Sequence, residues 1–202
     1  LATEIRRQGR EVLPLCFDIR KAEEVKKAVT DLEEKWQNIA VLVNNAGLAV
    51  GTSPIQEGII DDWERMIDTN VKGLLYITRE IAPLMIRNNN GHIVNIASIA
   101  GKEVYPGGNV YCATKHAVDA LSKAMRTDML KHNIKVTNIA PGMVETEFSI
   151  VRYKGDTEAA KNVYKGMTPL TNEDIADTII FAITRPAHVC LNDIVIMPTA
   201  QA

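Results

Sequence analysis

The chain has 202 residues, of which 46% are hydrophobic and 24% charged, and its formal net charge is −2 at pH 7. This size and composition are typical of one globular domain and exclude a disordered chain, so we expect a single domain over residues 1–202. The near-neutral charge disfavours a nucleic-acid surface. No apolar run reaches the ~18 residues that a membrane span needs, so no membrane association is expected.

Helical and strand patterns alternate from one end of the chain to the other. Apolar residues that recur every three or four positions predict helices at 1–8, 21–36, 61–87, 111–132 and 171–184. Short apolar runs predict strands at 11–17, 39–43, 92–97, 135–140 and 193–197. This alternation is typical of an α/β fold, in which a parallel sheet carries helices on both faces.

The cysteines and histidines do not indicate disulfides or a metal site. Cys16, Cys112 and Cys190 are odd in number and far apart, and the four histidines lack metal-ligand spacing. No basic segment followed by an apolar one opens the chain, so no export signal is visible. We therefore expect a reduced, cytoplasmic protein that binds no metal.

Small or polar residues follow four of the predicted strands. They are Asp18-Ile19, Asn44-Asn45-Ala46-Gly47, Ser98 and Pro141-Gly142. In a parallel sheet with helices on both faces, ligands bind outside the carboxyl ends of the strands. Each of these strand ends is an ordinary turn by itself, but together they predict a binding crevice along one edge of the sheet.

Tyr111 and Lys115 form a pair that suits proton transfer. Residues at i and i+4 share one helix face, and a nearby ammonium group is expected to lower the pKa of tyrosine from its reference of ~10. A phenol tuned in this way can give or take a proton. A solvated helix face explains an isolated Tyr-x-x-x-Lys equally well, but Ser98 lies at a strand end just upstream. The Gly-rich loop 101–108 can bring Ser98 and Tyr111 to one carbonyl group.

Asn70 interrupts an apolar helix stripe that also contains Ile67, Val71 and Leu74. An asparagine in this position must find hydrogen-bond partners or cost roughly 1–3 kcal/mol. It is therefore either a member of the site or a structural asparagine that satisfies a neighbouring backbone segment.

The order and spacing of these motifs resemble the short-chain dehydrogenase/reductase family over nearly the whole chain. The resemblance rests on Asn44-Asn45-Ala46-Gly47, Asn70, Ser98, Tyr111-x-x-x-Lys115, and Pro141-Gly142 followed by Val144 and Thr146. It implies a Rossmann-type doubly wound sheet, a nicotinamide cofactor and a catalytic tetrad of Asn70, Ser98, Tyr111 and Lys115. Tyr111 would be the general acid or base, Ser98 would fix the carbonyl, and Asn70 would anchor a water linked to Lys115.

The resemblance also implies the cofactor contacts. Asp18 would accept a hydrogen bond from the adenine amine beside Ile19, and Asn45, Ala46 and Gly47 would lie along the adenosine ribose. Lys115 would hold the nicotinamide ribose next to Tyr111. The nicotinamide would be flanked by Pro141, Gly142, Val144 and Thr146.

Three further stretches are similar to the NADP-dependent 3-hydroxy acid (serine/L-allo-threonine) dehydrogenases within this family. These are residues 107–111, 146–155 and 196–201. The similarity implies NADP as cofactor and oxidation of the 3-hydroxyl of L-serine, L-allo-threonine or 3-hydroxyisobutyrate. The family's opening strand and glycine-rich phosphate loop do not occur in this sequence. We therefore expect an N-terminal strand–helix–strand unit to be missing, and since that unit sets the preference for NAD or NADP, NAD stays possible.

Residues 142–168 have no clear pattern and leave the sheet at its ligand-binding edge, so we interpret them as a substrate lid. Arg152 within this lid could bind a substrate carboxylate through two parallel hydrogen bonds. Alternatively, Arg152 pairs with Glu147, with Asp156 or with a neighbouring subunit and never meets the substrate.

The sequence is also compatible with other functions. An epimerase or dehydratase of the same scaffold would usually carry a longer C-terminal substrate domain. A carbonyl reductase for uncharged ketones or aldehydes, and a catalytically silent cofactor-binding regulator, are the remaining alternatives. The helices at 61–87 and 111–132 carry extra apolar residues, among them Met85, Leu121, Met125 and Met129, which favours a homotetramer or a homodimer through these helices.

Overall fold

The computed structural model describes residues 1–201 and contains one four-stranded parallel sheet, so the predicted α/β fold is confirmed. Its strands, in spatial as well as chain order, are β1 (Val41–Asn44), β2 (Gly91–Ile96), β3 (Ile134–Pro141) and β4 (Asp193–Ile196). Asn44 is in register with Asn95, and Asn95 with Asn138. The carboxyl ends of all four strands therefore meet at one edge.

Within residues 1–201, eight α-helices flank and connect these strands. They are α1 (Ala2–Arg7), α2 (Ala22–Thr30), α3 (Ile60–Ile67), α4 (Leu74–Arg87), α5 (Asn109–Met129), α6 (Phe148–Arg152), α7 (Thr157–Asn162) and α8 (Asn172–Ile183). Short 3-10 turns lie at Glu34–Trp36, Ile55–Glu57, Ile99–Gly101 and Leu130–His132. Among residues 1–201, no helix is both long and apolar enough to cross a membrane.

The strand predicted at 11–17 is wrong, because this segment has no ladder of backbone hydrogen bonds. A β-strand needs a hydrogen-bonded neighbour to satisfy its backbone groups, and within residues 1–201 no strand lies beside this one. Its apolar side chains Leu13 and Leu15 are exposed, as are Val41 and Val43 of β1.

The helix predicted at 61–87 is divided into three parts. A π-helical turn at Asp68–Gly73 separates α3 from α4, and Asn70 is buried within this turn. Such turns insert one residue into an α-helix and occur frequently at functional sites. Ile67 of the predicted stripe is 40% exposed whereas Asn70 is buried, so the buried face departs from the apolar stripe that indicated one unbroken helix.

The core contradicts the argument that Met85, Met125 and Met129 are free for a partner subunit. All three are buried in the main apolar cluster of this chain, and Leu121 packs against that cluster. These side chains fill the space between the sheet and its own helices. A subunit interface through these helices would therefore have to be formed by other residues.

Residues 142–168, the lid segment, contain α6 and α7 and are fastened to the rest of the domain. The N–H of Gly51 donates to the carbonyl of Arg152 at 3.0 Å. Lys154 Nζ lies 2.7 Å from the carboxylate of Asp62, which is buried. Within the segment itself, the Tyr164 hydroxyl donates to the carbonyl of Val144 at 3.0 Å. These contacts hold α6 against the ligand edge of the sheet.

Candidate active site

Ser98 and Tyr111 line the same cavity of about 680 Å³ at the carboxyl edge of the sheet. Ser98 follows β2, and its Oγ accepts a hydrogen bond from the N–H of Ala100 at 3.1 Å. This cap starts the 3-10 turn at Ile99–Gly101, and Gly101 packs directly on the Lys115 carbonyl of α5. The close packing places the first turn of α5, with Tyr111, next to the end of β2, as the spacing predicted.

Lys115 lies one helical turn after Tyr111 and is buried. Its Nζ donates to the carbonyl of Ile96 at 2.9 Å and is 5.9 Å from the centre of the Tyr111 ring. Burial lowers the pKa of the Lys115 ammonium to about 8, because the charged form loses its hydration.

The pKa of Tyr111 is shifted in the direction opposite to the sequence-based expectation. Burial raises it above the ordinary value for tyrosine, while a hydrogen bond with Ser98 and the charge of Arg152 act weakly in the other direction. The expected lowering by Lys115 is therefore wrong for this structure. A phenolate in this buried position is costly, and here that cost exceeds the electrostatic help from its neighbours.

Asn70 joins the loop after β1 to α5 through its side-chain amide. Its Oδ1 accepts from the N–H of Leu48 at 2.8 Å, and its Nδ2 donates to the carbonyl of Leu48 at 2.8 Å and to Thr114 Oγ1 at 3.0 Å. The Thr114 hydroxyl donates in turn to the Tyr111 carbonyl at 2.8 Å. Asn70 thus satisfies a neighbouring backbone segment, one of the two readings of its sequence position.

Gly47 lies close to Asn70 and Lys115. A Cβ built on Gly47 would lie 3.3 Å from Asn70 Oδ1 and 3.5 Å from Lys115 Nζ. The absence of a side chain at this position lets the loop after β1 approach these two buried side chains closely. The buried ammonium group beside it suits a ligand that carries hydroxyl or other acceptor oxygens, so the residues present fit the ribose of a nicotinamide cofactor.

The other predicted cofactor residues lie along the same edge of the sheet. Ile19, Asn45 and Ala46 line one small cavity, Gly47 and Thr146 a second, and Gly142 and Val144 the large one that contains Tyr111. Pro141 ends β3, and its carbonyl is 3.5 Å from Ser98 Oγ. These residues therefore line three separate cavities, and the continuous crevice expected from the strand ends stays a prediction.

The carboxylate of Asp18 is bound by Arg20 of the same chain. Both of its carboxylate oxygens accept from Arg20, with Oδ2 at 2.7 Å from Nη2, and this contact lowers the pKa of Asp18 to about 2. The Val144 carbonyl likewise accepts a hydrogen bond from the Tyr164 hydroxyl.

Arg152 extends from α6 into the large cavity, where Tyr105 meets it. Arg152 Nη1 donates to the Tyr105 hydroxyl at 2.8 Å. The guanidinium carbon is 5.2 Å from the centre of the Tyr105 ring and 5.7 Å from that of Tyr111. The expected alternative partners, Glu147 and Asp156, do not form an ion pair with Arg152 among residues 1–201. Tyr105 was not singled out by the sequence, in which it is one residue of a Gly-rich loop.

Comparison with known proteins agrees with this geometry. A family model described as short chain dehydrogenase matches residues 1–156 of the chain. The chain belongs to the short-chain dehydrogenase family. The NADP-dependent 3-hydroxy acid dehydrogenase YdfG of Salmonella typhi is 47% identical to it over 195 residues, which are 96% of this chain and 79% of that protein. The NADP-dependent 3-hydroxy acid dehydrogenase of Schizosaccharomyces pombe is 44% identical over 94% of this chain and 73% of that protein.

Solved structures of the short-chain dehydrogenase family extend the agreement to the fold. The closed form of serine dehydrogenase complexed with NADP+ matches with a TM-score of 0.94 at 43% identity, over 99% of this chain and 82% of that one. Serine dehydrogenase from Escherichia coli matches with a TM-score of 0.79 at 40% identity, over 92% of this chain and 76% of that one. The Rossmann-type fold and the family that the motifs predicted are confirmed, and this short-chain dehydrogenase is an oxidoreductase that acts on CH–OH groups.

Proposed function

We propose that the protein transfers a hydride between NADP(H) and a small 3-hydroxy acid, and that it oxidises the 3-hydroxyl of a compound such as L-serine, L-allo-threonine or 3-hydroxyisobutyrate. The observation that carries the proposal is the meeting of Ser98, Tyr111 and Arg152 in one cavity. The first two suit the reacting hydroxyl or carbonyl, and the third suits a carboxylate. The names of the 3-hydroxy acid and serine dehydrogenases among the relatives support this substrate class.

NADP supplies or accepts the hydride when it is bound, and residues along the edge of the sheet are proposed to hold it. Lys115 would donate hydrogen bonds to the nicotinamide ribose, and Gly47 would lie along the adenosine ribose. The remaining proposed contacts are Asp18, Ile19, Asn45, Ala46, Tyr111, Pro141, Gly142, Val144 and Thr146.

Tyr111 is proposed to exchange the proton with the substrate oxygen. Its raised pKa keeps the phenol protonated, so it is ready to act as the general acid when a carbonyl is reduced. In the oxidation direction Tyr111 first loses its proton, and the protonated Lys115, the Ser98 hydroxyl and Arg152 stabilise the resulting phenolate, which then accepts the proton of the alcohol. Ser98 holds the substrate oxygen beside Tyr111.

Asn70 completes the proposed tetrad by fixing the framework around Lys115. Its amide holds Leu48 and Thr114, so the loop that carries Gly47 and the helix that carries Tyr111 keep their separation. A water anchored near Asn70 is proposed to link Lys115 to solvent and to return its proton.

A carbonyl reductase for uncharged ketones or aldehydes is the second candidate. The cavity wall includes the apolar side chains of Val104, Phe148 and Met167 as well as Arg152. Such a wall would also accept a substrate without a carboxylate.

The assembly and the location of the protein are also proposals. A homotetramer, or a homodimer through the helices at 61–87 and 111–132, is supported by Ile67 and Leu75, which are both 40% exposed on the first of these segments. A cytoplasmic location is supported by three cysteines that are all free. Sedimentation that finds a monomer at micromolar concentration would contradict the assembly.

The test of function follows nicotinamide absorbance with the full-length protein. We expect NADP reduction with L-serine, L-allo-threonine or 3-hydroxyisobutyrate, and kcat/KM for 3-hydroxyisobutyrate ~10- to 100-fold above that for its methyl ester, because a charged hydrogen-bonded pair contributes about 1.5–3 kcal/mol. A higher kcat/KM for the ester would favour the carbonyl reductase. Cofactor binding without turnover of any alcohol or carbonyl would favour a silent regulator.

A further inference from the structure

The guanidinium of Arg152 lies between two aromatic rings in the large cavity. Its central carbon is 5.2 Å from the ring centre of Tyr105 and 5.7 Å from that of Tyr111. A cation beside the face of an aromatic ring is attracted by the negative potential of that face. The rings of Tyr105 and Tyr111 therefore restrict the position of the Arg152 guanidinium group.

The hydrogen bonds of Arg152 leave its charge without an anionic partner. Its Nη1 donates to the neutral hydroxyl of Tyr105 at 2.8 Å. Its Nε is buried and has no hydrogen-bond partner within residues 1–201, and no ion pair in that range includes Arg152. A guanidinium has five N–H donors and prefers a carboxylate that accepts two of them. The guanidinium of Arg152 is therefore suited to bind a carboxylate or another anion in this cavity.

Tyr105 is itself held firmly in place. Its carbonyl accepts a hydrogen bond from the N–H of Gly108 at 3.0 Å. A Cβ on Gly108 would stand only 2.6 Å from Cε2 of the Tyr105 ring, so the glycine lets the ring lie close to the start of α5. The hydroxyl of Tyr105 is consequently a fixed acceptor for Arg152.

The two tyrosines lie on elements that meet at Ser98. Tyr105 belongs to the loop between Ser98 and α5, and Tyr111 to the first turn of α5. Arg152 comes from the lid segment, and its carbonyl is tied to Gly51 at 3.0 Å. The contact with Tyr105 is therefore a link between the lid segment and the loop that connects Ser98 to Tyr111.

We infer that Tyr105 is a positioning residue, which aims Arg152 at the carboxylate of the substrate and so makes the enzyme select hydroxy acids over uncharged alcohols. The inference rests on the proposed function. Tyr105 itself does not exchange protons with the substrate. It fixes the charge of Arg152 at one distance from Tyr111, and this distance decides where the 3-hydroxyl of a bound acid lies.

The test compares Tyr105→Phe with the wild type on 3-hydroxyisobutyrate and on its methyl ester. The variant keeps the aromatic ring and loses only the hydroxyl. We expect KM for the acid to rise about 10-fold with kcat changed no more than about 2-fold, and KM for the ester to change no more than about 2-fold. Tyr76→Phe, which removes a hydroxyl on α4 outside the cavity, controls for the loss of a phenol.

A double-variant cycle shows whether Tyr105 acts through Arg152. In an Arg152→Leu background, Tyr105→Phe should have no further effect on KM for the acid, because the group that it positions is gone. Equal losses with acid and ester, or fully additive losses in the double variant, would overturn the inference.

The wild-type measurements separate this inference from the proposed function. A wild type that prefers the ester refutes the proposed function, and the inference falls with it. A wild type that prefers the acid, together with an unchanged Tyr105→Phe variant, refutes only the role of Tyr105. Cofactor titration by fluorescence verifies that each variant is folded.

Discussion

Asn70 holds both main-chain polar groups of Leu48 with one side-chain amide, each at 2.8 Å. The two residues belong to separate elements, because Asn70 lies in the π-helical turn between α3 and α4 and Leu48 lies in the loop after β1. The same amide reaches Thr114 on α5. One buried side chain thus connects three of the elements that surround Gly47 and Lys115.

Replacing Asn70 with alanine should lower both stability and turnover. The change leaves the buried N–H and carbonyl of Leu48 without partners, and each such group costs about 1–3 kcal/mol. We expect the free energy of unfolding to fall by at least that amount in urea titrations, and kcat/KM to fall because Gly47 and Lys115 lose their fixed separation. Asn88→Ala, which removes an exposed amide bonded to Asn38, should change stability by less than about 0.5 kcal/mol. Equal effects of the two substitutions would contradict the role of Asn70.

Replacing Tyr111 with phenylalanine should remove turnover while leaving cofactor affinity nearly unchanged. General acid–base catalysis contributes about 10²- to 10⁴-fold, and phenylalanine keeps the ring that packs against Phe148. The measurements are initial rates with 3-hydroxyisobutyrate and the dissociation constant of NADP. A variant that retains more than a tenth of the wild-type rate would contradict the assigned role.

Most of the sheet could be predicted because its strands are continuous apolar runs with polar residues at their ends. The segment at 11–17 has the same kind of pattern, yet it forms no strand, since strand formation depends on a paired neighbour and not on the run itself. The π-helical turn around Asn70 could not be predicted either, because the spacing of apolar residues in the sequence does not show where a single residue is inserted into a helix.

The site could be predicted where residue type and spacing carry the chemistry, as for Ser98, Tyr111 and Lys115. The direction of the Tyr111 pKa shift could not, because it depends on how deeply α5 is buried against β2. The contact between Tyr105 and Arg152 joins residues 47 positions apart. The periodicity of apolar residues in the sequence does not predict a contact between side chains so far apart in the chain.

Replacing Arg152 with leucine should weaken the binding of acids selectively. Losing a charged hydrogen-bonded pair costs about 1.5–3 kcal/mol, so KM for L-serine or 3-hydroxyisobutyrate should rise ~10- to 100-fold. Reduction of an uncharged ketone or aldehyde should change much less. Equal losses on charged and uncharged substrates would mean that Arg152 only holds the lid segment in place.

Replacing Gly101 with alanine should separate Ser98 from α5. The new Cβ would stand 2.6 Å from the main-chain oxygen of Lys115, so the backbone must move, and overpacking of this kind costs about 1–3 kcal/mol. We expect a lower melting temperature together with a lower kcat. Gly47→Ala offers a contrast, because its Cβ would meet side-chain atoms of Asn70 and Lys115 at 3.3 and 3.5 Å, and its nearest main-chain contact is the Asn45 oxygen at 4.0 Å. That variant should lose cofactor affinity with little loss of stability, and the same signature from Gly101→Ala would contradict the prediction.

His92 should make the stability of the protein depend on pH in the acidic range. It is buried in β2, where its Nε2 is 2.7 Å from Thr137 Oγ1 and its Nδ1 has no hydrogen-bond partner within residues 1–201. Burial, helped by the charge of Lys135, lowers the pKa of His92 from 6.5 to about 4. Between these two values the unfolded chain binds a proton at this position and the folded chain does not. The free energy of unfolding therefore rises with pH across this window. The stability associated with neutral His92 is lost as the pH falls through the same window.

The contribution of His92 can be isolated by comparing pH profiles of unfolding. Its slope reaches at most about 1.4 kcal/mol per pH unit, and the carboxyl groups of the protein add their own slopes in the same range. His92→Gln removes the titrating ring and keeps a polar side chain, so the difference between wild type and variant should slope upward between about pH 4 and 6.5 and be flat above pH 7. His188→Gln, at an exposed position, controls for the loss of a histidine. If the His92→Gln profile runs parallel to that of the wild type from pH 4 to 7, His92 is not held neutral by burial.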